Sequence, residues 1–274
     1  MTTLAPAPRT TSAAGPPARF RDLFAAEWIK TRSLRSTPWT IALTVLFVIG
    51  SAAVATMTDD APGAGPAGFR HYDAYPPAGY WTLILIASSM GALGVVSEYG
   101  SGLIRVTTVA VPARGSVVLA KAAVTAALWT AVGTIASLGS FLVSQALLAG
   151  RHAAVPITHP GVFRAVAASA LLAPVCALVG LGLGVLLRHA AATMVTGVFV
   201  LLMLPTMFSE SDRWSADVKH ALVSAAWKRL IETWEPDPAS LAYTATVSGS
   251  WIVYALWPLL TVALAVLVVR RRDV

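Results

Sequence analysis

Residues 80 to 121 read YWTLILIASSMGALGVVSEYGSGLIRVTTVAVPARGSVVLAK. The first part, residues 80 to 97, is apolar in character and carries no charged side chain. A helix rises about 1.5 Å per residue, so roughly 20 apolar residues cross a hydrocarbon core about 30 Å thick. The second part, residues 98 to 121, is dense in glycine and charge. The stretch therefore predicts a membrane span that runs into a polar loop.

Five further segments of the 274-residue chain have the same apolar character. Hydrophobic residues make up 56% of the chain and charged residues 12%, whereas a soluble domain usually carries about 25% charged residues. The predicted spans cover residues 39–57, 80–97, 122–149, 165–187, 191–208 and 251–269. None alternates polar and apolar residues as barrel strands do. We predict an all-α membrane protein with six transmembrane helices.

The third segment is too short for two spans and a turn, which need roughly 40 residues. One long or tilted helix is expected there, with its first turns in the cytosol. Six spans place both termini on one side. If that side is the cytoplasm, thirteen basic and four acidic residues lie inside, against seven basic and nine acidic residues in the outer loops. Because positive flanks stay cytoplasmic during insertion, we expect cytoplasmic termini and a multi-pass protein of the cell membrane.

The N-terminal region divides into two predicted parts. Residues 1–19 are rich in alanine, proline and threonine and are expected to form a disordered cytosolic tail. Residues 20–37 pattern as an amphipathic helix in the inner membrane interface. Glu27 interrupts its apolar arc. Two interpretations remain open, in which the carboxylate pairs with Lys30 or Thr31, or contacts a partner protein.

Residues 38–274 are assigned to the transmembrane domain, with a long outer loop at 209–249. Helical spacing in this loop predicts an amphipathic helix on the outer interface, through Val223, Trp227, Leu230, Ile231 and Trp234. Within the spans, small residues at intervals of four predict close helix packing. Examples are Gly180 with Gly184, and Gly133 with Ser137.

Several kinds of chemistry are missing from the sequence. There is no GxxxxGK[ST] loop to cradle nucleotide phosphates and no HExxH motif for a metal. The one cysteine, Cys176, lies in mid-span and can form no internal disulfide. Ion-coupled carriers commonly place ionisable groups within the membrane, but the middles of the predicted spans have none. We therefore expect no catalytic residues, no metal and no cofactor, and an energy source in a separate subunit.

The polar loop gives the most specific indication of function. It contains, in order, an acid, glycines, an arginine with threonines, a proline and a further arginine: Glu98, Gly100, Gly102, Arg105, Thr107, Thr108, Pro112 and Arg114. This order resembles the cytosolic segment after the second span of ABC type 2 transporter permeases. The resemblance extends over nearly the whole chain, through the N-terminal helix, the six spans and the basic C-terminal end. Leu103 stands where the family often has threonine.

The resemblance implies an exporter made of two six-helix permease subunits and two ATP-hydrolysing subunits on separate chains. The second permease would be a copy of this chain or a homologue. Besides these subunits the chain would contact membrane lipid, and we expect no nucleic-acid partner. The segment 98–114 and the N-terminal helix would couple to the ATPase. The implied coupling residues are Glu98, Gly102, Arg105, Thr108, Pro112, Arg114 and Glu27.

This interpretation carries a mutational expectation and leaves alternatives open. Glu98→Lys or Arg105→Glu is expected to disrupt coupling while insertion and expression persist. The alternatives are an ion-coupled transporter or channel, an intramembrane enzyme, and a noncatalytic membrane scaffold or immunity protein. The cargo does not follow from the sequence.

Overall fold

A computed structural model describes residues 19–33, 35–58, 74–101, 114–233 and 243–271. The described residues form helices and connecting turns and contain no strand. The helices are α1 (Phe20–Ser33), α2 (Ser36–Thr58), α3 (Pro77–Gly100), α4 (Arg114–Ala149), α5 (Val162–Leu187), α6 (Ala190–Val198), α7 (Arg213–His220), α8 (Val223–Ile231) and α9 (Val247–Arg271). A π turn, Phe199–Met203, and a 3-10 turn, Leu204–Met207, continue α6.

Six of these helices are long and apolar enough to cross a membrane, which confirms the predicted all-α fold with six candidate spans. They are α2, α3, α4, α5, the α6 segment through Met207, and α9. The third predicted segment is one helix of 36 residues. At about 1.5 Å per residue it is ~54 Å long, well beyond the thickness of a hydrocarbon core. The N-terminal helix was predicted over residues 20–37. In the structure α1 ends at Ser33, and residues 36 and 37 belong to α2. The predicted tail, 1–19, lies outside the described residues except for Arg19.

Close backbone contacts hold the centre of the bundle together. A Cβ atom on Gly91 of α3 would lie 2.0 Å from the Ala177 carbonyl oxygen of α5. A Cβ atom on Gly180 would lie 1.9 Å from the Ser88 carbonyl oxygen. These positions admit only glycine, and they let α3 and α5 pack backbone to backbone. The packing expected from the small residues is therefore confirmed for this helix pair.

Helix α5 is the central helix of the bundle. In its most apolar window 72% of the residues are buried within the protein, against 22% in the corresponding windows of α2, α6 and α9. Pro174 lies inside α5, which nevertheless continues as one helix from Val162 to Leu187. The sole cysteine, Cys176, is fully buried in the same helix, in agreement with its expected role as a small apolar residue.

Side-chain contacts define two opposite ends of the bundle. At one end, which we call the charged end, the last turn of α3 meets α1 and the first turns of α4 through Glu98 and Lys121. The last turn of α9 reaches the same end, since a Cβ atom on Gly115 would lie 2.8 Å from Arg270 Nε. At the other end, which we call the Trp227 end, α8 packs against α5 and α9.

The apolar face of α8 is buried by protein. Val223, Trp227, Leu230 and Ile231 are each at most 2% exposed and belong to the main hydrophobic cluster. The Trp227 ring stacks on that of Tyr80 with centroids 5.0 Å apart, and its Nε1 donates to Ser169 Oγ at 3.1 Å. The sequence predicted this helix on the lipid interface. The amphipathic pattern is the same for either apolar surface, and here the bundle supplies that surface.

Candidate functional site

Four charged side chains from three helices form one cluster at the charged end. Lys121 Nζ of α4 donates to Glu27 Oε2 of α1 at 2.6 Å and to Glu98 Oε1 of α3 at 2.7 Å. Lys30 of α1 forms a second ion pair with Glu98. Glu27 and Lys30 stand three residues apart and therefore share one face of α1. We call these four residues the charge cluster.

Burial makes this cluster different from a surface ion pair. Lys121 and Glu98 are each 7% exposed. An isolated buried charge is strongly disfavoured, so lysines and glutamates are rarely buried unless they are paired. Here two ammonium groups face two carboxylates, and Lys121 contacts both carboxylates. Each charge thus compensates its neighbour, and removing Lys121 would leave only Lys30 to compensate two carboxylates.

The length of α4 brings Lys121 to this position. The helix begins at Arg114, eight residues before the first residue of the predicted span. These additional turns carry Lys121 to the level of the last turn of α3, where Glu98 lies. The cluster consequently ties α1 to the two helix ends that flank residues 102–113.

Three of the seven predicted coupling residues lie in the described part of the chain. Glu98 and Glu27 belong to the charge cluster. Arg114 is the first residue of α4 and is partly buried. The other four, Gly102, Arg105, Thr108 and Pro112, lie outside the described residues. The structure thus brings together two residues that the sequence separates by 71 positions.

The predicted pairing of Glu27 with Lys30 or Thr31 needs correction. The Glu27 carboxylate pairs with Lys121, and Lys30 pairs with Glu98 instead. Thr31 does contact Glu27, but its hydroxyl donates to the Glu27 backbone carbonyl at 2.9 Å, as threonines in helices often do. Side chains three and four residues away on one helix were the nearest candidates in sequence, whereas the tertiary partner on α4 offers a better buried contact.

Lys121 is the site residue that sequence reasoning missed. Lys30 was considered only as a neighbour of Glu27 on the same helix, and its pairing with Glu98 was not predicted. The available signal was that Glu98 directly follows the second predicted span and Lys121 directly precedes the third. The ionisable groups also lie within long helices, because Glu98 falls in the last turn of α3 and Lys121 in the third turn of α4.

A cavity of about 320 Å³ adjoins the charge cluster between α1, α2, α3 and α4. Glu27, Lys30 and Lys121 form its charged wall, and Leu128 and Trp129 belong to its apolar wall. The cavity therefore combines buried charge with an apolar interior. Among the described residues no group of histidine, cysteine, aspartate and glutamate is placed to hold a metal ion.

A contact between an arginine and a tyrosine ring also lies at the charged end. The Arg188 guanidinium carbon sits 4.9 Å from the centroid of the Tyr99 ring, within range of a cation–π interaction. Arg188 follows α5 with a left-handed backbone, φ 55°, and its backbone N–H closes the helix on the Gly184 carbonyl. The turn to α6 therefore holds the ends of α3 and α5 together.

The Trp227 end has polar contacts of its own. Arg164 donates to the Leu230 carbonyl oxygen at 3.1 Å, and Arg229 donates to that of Ala245 at 2.7 Å. Burial raises the pKa of the Glu232 carboxyl above its usual value, although the neighbouring Arg229 opposes this shift. These bonds attach the α7–α8 region to the bundle.

No protein-family model matches the chain, and no curated protein matches it.

Proposed function

We propose that this chain is the membrane permease subunit of an ATP-driven ABC exporter. The observation that carries the proposal is the charge cluster, which joins the N-terminal helix to the helix ends on both sides of segment 98–114. A motion applied to that segment or to α1 would reach α3 and α4 through buried ion pairs. The ordered loop pattern of Glu98, Arg105, Pro112 and Arg114 supports the same assignment by resemblance.

The mechanism follows from how the helices are joined. A partner ATPase that closes on ATP would push on the segment and on α1. Helix α3 packs backbone to backbone on the central helix α5 through Gly91 and Gly180. Because the two backbones are in contact, a tilt of α3 would move α5 with it. Packed helices that shift as rigid bodies can switch access between two sides of a membrane.

The assembly that this function requires has four subunits. Two permease subunits, identical or homologous, would form the translocation path, and two ATPase subunits would supply the energy. Both termini of this chain would lie in the cytoplasm of the cell, and α1 would lie in the inner membrane interface. The excess of basic residues on the side that carries both termini supports that orientation.

The test is purification of the tagged full-length chain from membranes of its native host in mild detergent. We expect an ATPase with a GxxxxGK[ST] loop, encoded beside this chain, to co-purify at about one copy per permease. Arg105→Glu should reduce the retained ATPase severalfold, whereas Lys219→Met, at the other end of the molecule, should leave it unchanged. A stable, folded chain that purifies without such an ATPase would count against the proposal.

One structural feature favours an ion-coupled carrier as the second candidate. Glu98 and Lys121 are buried ionisable residues within long apolar helices, and such residues often take part in ion coupling. Their position in end turns rather than in mid-span weighs against that role. An imposed proton or sodium gradient that drives solute uptake by the chain alone would establish the carrier.

A further inference from the structure

The cavity beside the charge cluster has two chemically distinct parts. It lies between α1, α2, α3 and α4 of a single chain and has a volume of about 320 Å³. Protein sites for small molecules usually range from about 300 to 1,000 Å³ and combine an apolar lining with a few placed polar groups. The volume thus suits a single apolar chain with a small head better than a two-chain phospholipid.

The charged part of the wall is biased toward cations. Lys30, Lys121 and Glu27 line the cavity, but Glu98, which pairs with both lysines, is not part of the lining. The wall therefore presents two ammonium groups and one carboxylate. Lys121 is 7% exposed and held in place by both carboxylates. Lys30 pairs with Glu98 alone, and its side chain is 41% exposed.

Three hydroxyl side chains belong to the same wall. They are those of Thr37, Ser97 and Thr125. A hydroxyl can donate to an anionic head as well as accept from another group. With the two lysines, these groups make a site rich in donors, which favours a ligand head with acceptor oxygens.

The apolar part of the wall would hold a hydrocarbon chain. Met90 and Leu93 come from α3, and Leu128 and Trp129 from α4. Gly94 also lines the cavity, and a Cβ atom placed on it would meet no other atom within 4 Å. Space next to Gly94 is therefore open.

We infer that this cavity binds a single-chain anionic amphiphile, with its acidic head at Lys30 and Lys121 and its chain along Leu128 and Trp129. The inference goes beyond the proposed function and does not depend on it, because α1 to α4 of one chain build the whole site. Two sources share this chemistry, a free fatty-acid carboxylate and a single-chain phospholipid.

Equilibrium binding of radiolabelled dodecanoate to the full-length protein in zwitterionic lipid nanodiscs tests the inference. We expect saturable binding that dodecanoate displaces at least about tenfold better than dodecanol or dodecyltrimethylammonium, since hydrogen bonds to charged groups contribute about 1.5–3 kcal/mol. Lys30→Gln should weaken dodecanoate about tenfold and leave dodecanol unchanged. Equal displacement by the acid, the alcohol and the ammonium compound would overturn the inference.

Filling the cavity provides the second arm. Gly94→Leu should reduce dodecanoate binding at least about tenfold, because the new side chain occupies the open space. Gly50→Leu is the matched control, since Gly50 lies in α2 away from the cavity and its Cβ would also meet no atom within 4 Å. Equal binding by the two variants would contradict the site. Stronger displacement by dodecanoyl lysophosphatidylglycerol than by dodecanoate would assign the ligand to membrane lipid, and the reverse order to a free fatty acid.

A spectroscopic measurement keeps the test independent of cavity filling. Dodecanoate brominated at its terminal carbon should quench the fluorescence of Trp129, which is 2% exposed and lines the cavity. Trp129→Phe should therefore lose most of the saturable quenching, while Trp214→Phe, at a site that is 73% exposed, should keep it. Saturable quenching that is the same in both variants would place the ligand elsewhere and refute the assignment.

Discussion

Lys121 and Glu98 form an ion pair of 2.7 Å in which each residue is only 7% exposed, although 23 positions separate them in the chain. The pair joins the last turn of α3 to the third turn of α4. Residues 102–113 connect those two helices in the chain. The ion pair therefore joins the two helix ends that flank them. Lys30 and Glu27 add α1 to the same contact. This junction is the physical basis of the proposed coupling.

Removing the lysine at the centre of the junction should strongly destabilise the protein. Lys121→Met leaves the buried Glu98 and the partly buried Glu27 with only Lys30 to compensate them, and breaking a buried pair typically costs about 3–5 kcal/mol. Thermal unfolding in detergent should show a large decrease in midpoint. Lys219→Met is the control, because the Lys219–Glu210 pair is more exposed and should contribute at most about 1 kcal/mol. Equal shifts for the two variants would show that the junction contributes no special stability.

Glu98→Lys should impair folding as well as coupling, contrary to the expectation from sequence alone. The substitution would place three ammonium groups against the single carboxylate of Glu27. Like charges in a buried site repel strongly. Membrane yield of Glu98→Lys should therefore fall well below that of Glu98→Gln, as measured by fluorescence-detected gel filtration. Comparable yields would argue that the cluster is open to water.

The α3–α5 contact should tolerate no side chain at its crossing points. Gly180→Ala and Gly91→Ala would each drive a methyl group into a backbone carbonyl at about 2 Å. Overpacking of this kind typically costs about 1–3 kcal/mol. Gly50→Ala should be neutral, since its Cβ meets open space. Thermal midpoints of the three variants in the same detergent give the comparison, and a neutral Gly180→Ala would contradict the packing described.

Stability should depend on Glu232 in a defined pH direction. Burial raises the folded-state pKa of this carboxyl above its usual value of 4.5. The folded protein then holds the proton more tightly, so the stabilisation is complete below pH 4.5 and is lost as pH rises through the folded-state pKa. The thermal midpoint of the wild type minus that of Glu232→Gln should decrease as pH rises from about 4.5. A difference that increases over this range would refute the assignment.

Topology can be tested with single cysteines, because the only native cysteine, Cys176, is buried. With cytoplasmic termini, His152→Cys in the α4–α5 turn should react with an impermeant maleimide added to intact cells. Arg32→Cys near the end of α1 should react only after the membrane is opened. The reverse pattern would show that the orientation inferred from basic residues is wrong.

The sequence was sufficient for the six long helices because an apolar run of about 20 residues has few alternatives in a membrane. A single helix over residues 122–149 could likewise be expected, since no charge interrupts them. Its first eight residues, 114–121, were predicted as part of the polar loop, and that part of the prediction was wrong. Small residues such as Gly180 indicated close packing. Their partners, Ser88 and Ala177, could not be predicted, because spacing along one helix does not identify the neighbouring helix.

The candidate site was predictable only in part for the same reason. The sequence indicated Glu98 and Glu27 as unusual acids, but it gave nearby partners for Glu27 and none for Glu98. A buried carboxylate pairs with whichever cation the tertiary fold brings near, and here that is Lys121 of α4. The α8 pattern was also ambiguous, because Trp227 and Leu230 suit protein or lipid equally until the bundle is built.

The rate of ATP hydrolysis by the partner ATPase, measured with and without this chain in the same vesicles, tests the central claim most directly. The account predicts that association with the chain changes the rate severalfold, and that Arg105→Glu returns it to the rate of the ATPase alone. A rate that is the same with the chain, without it and with the variant would contradict an ATP-driven permease coupled through segment 98–114.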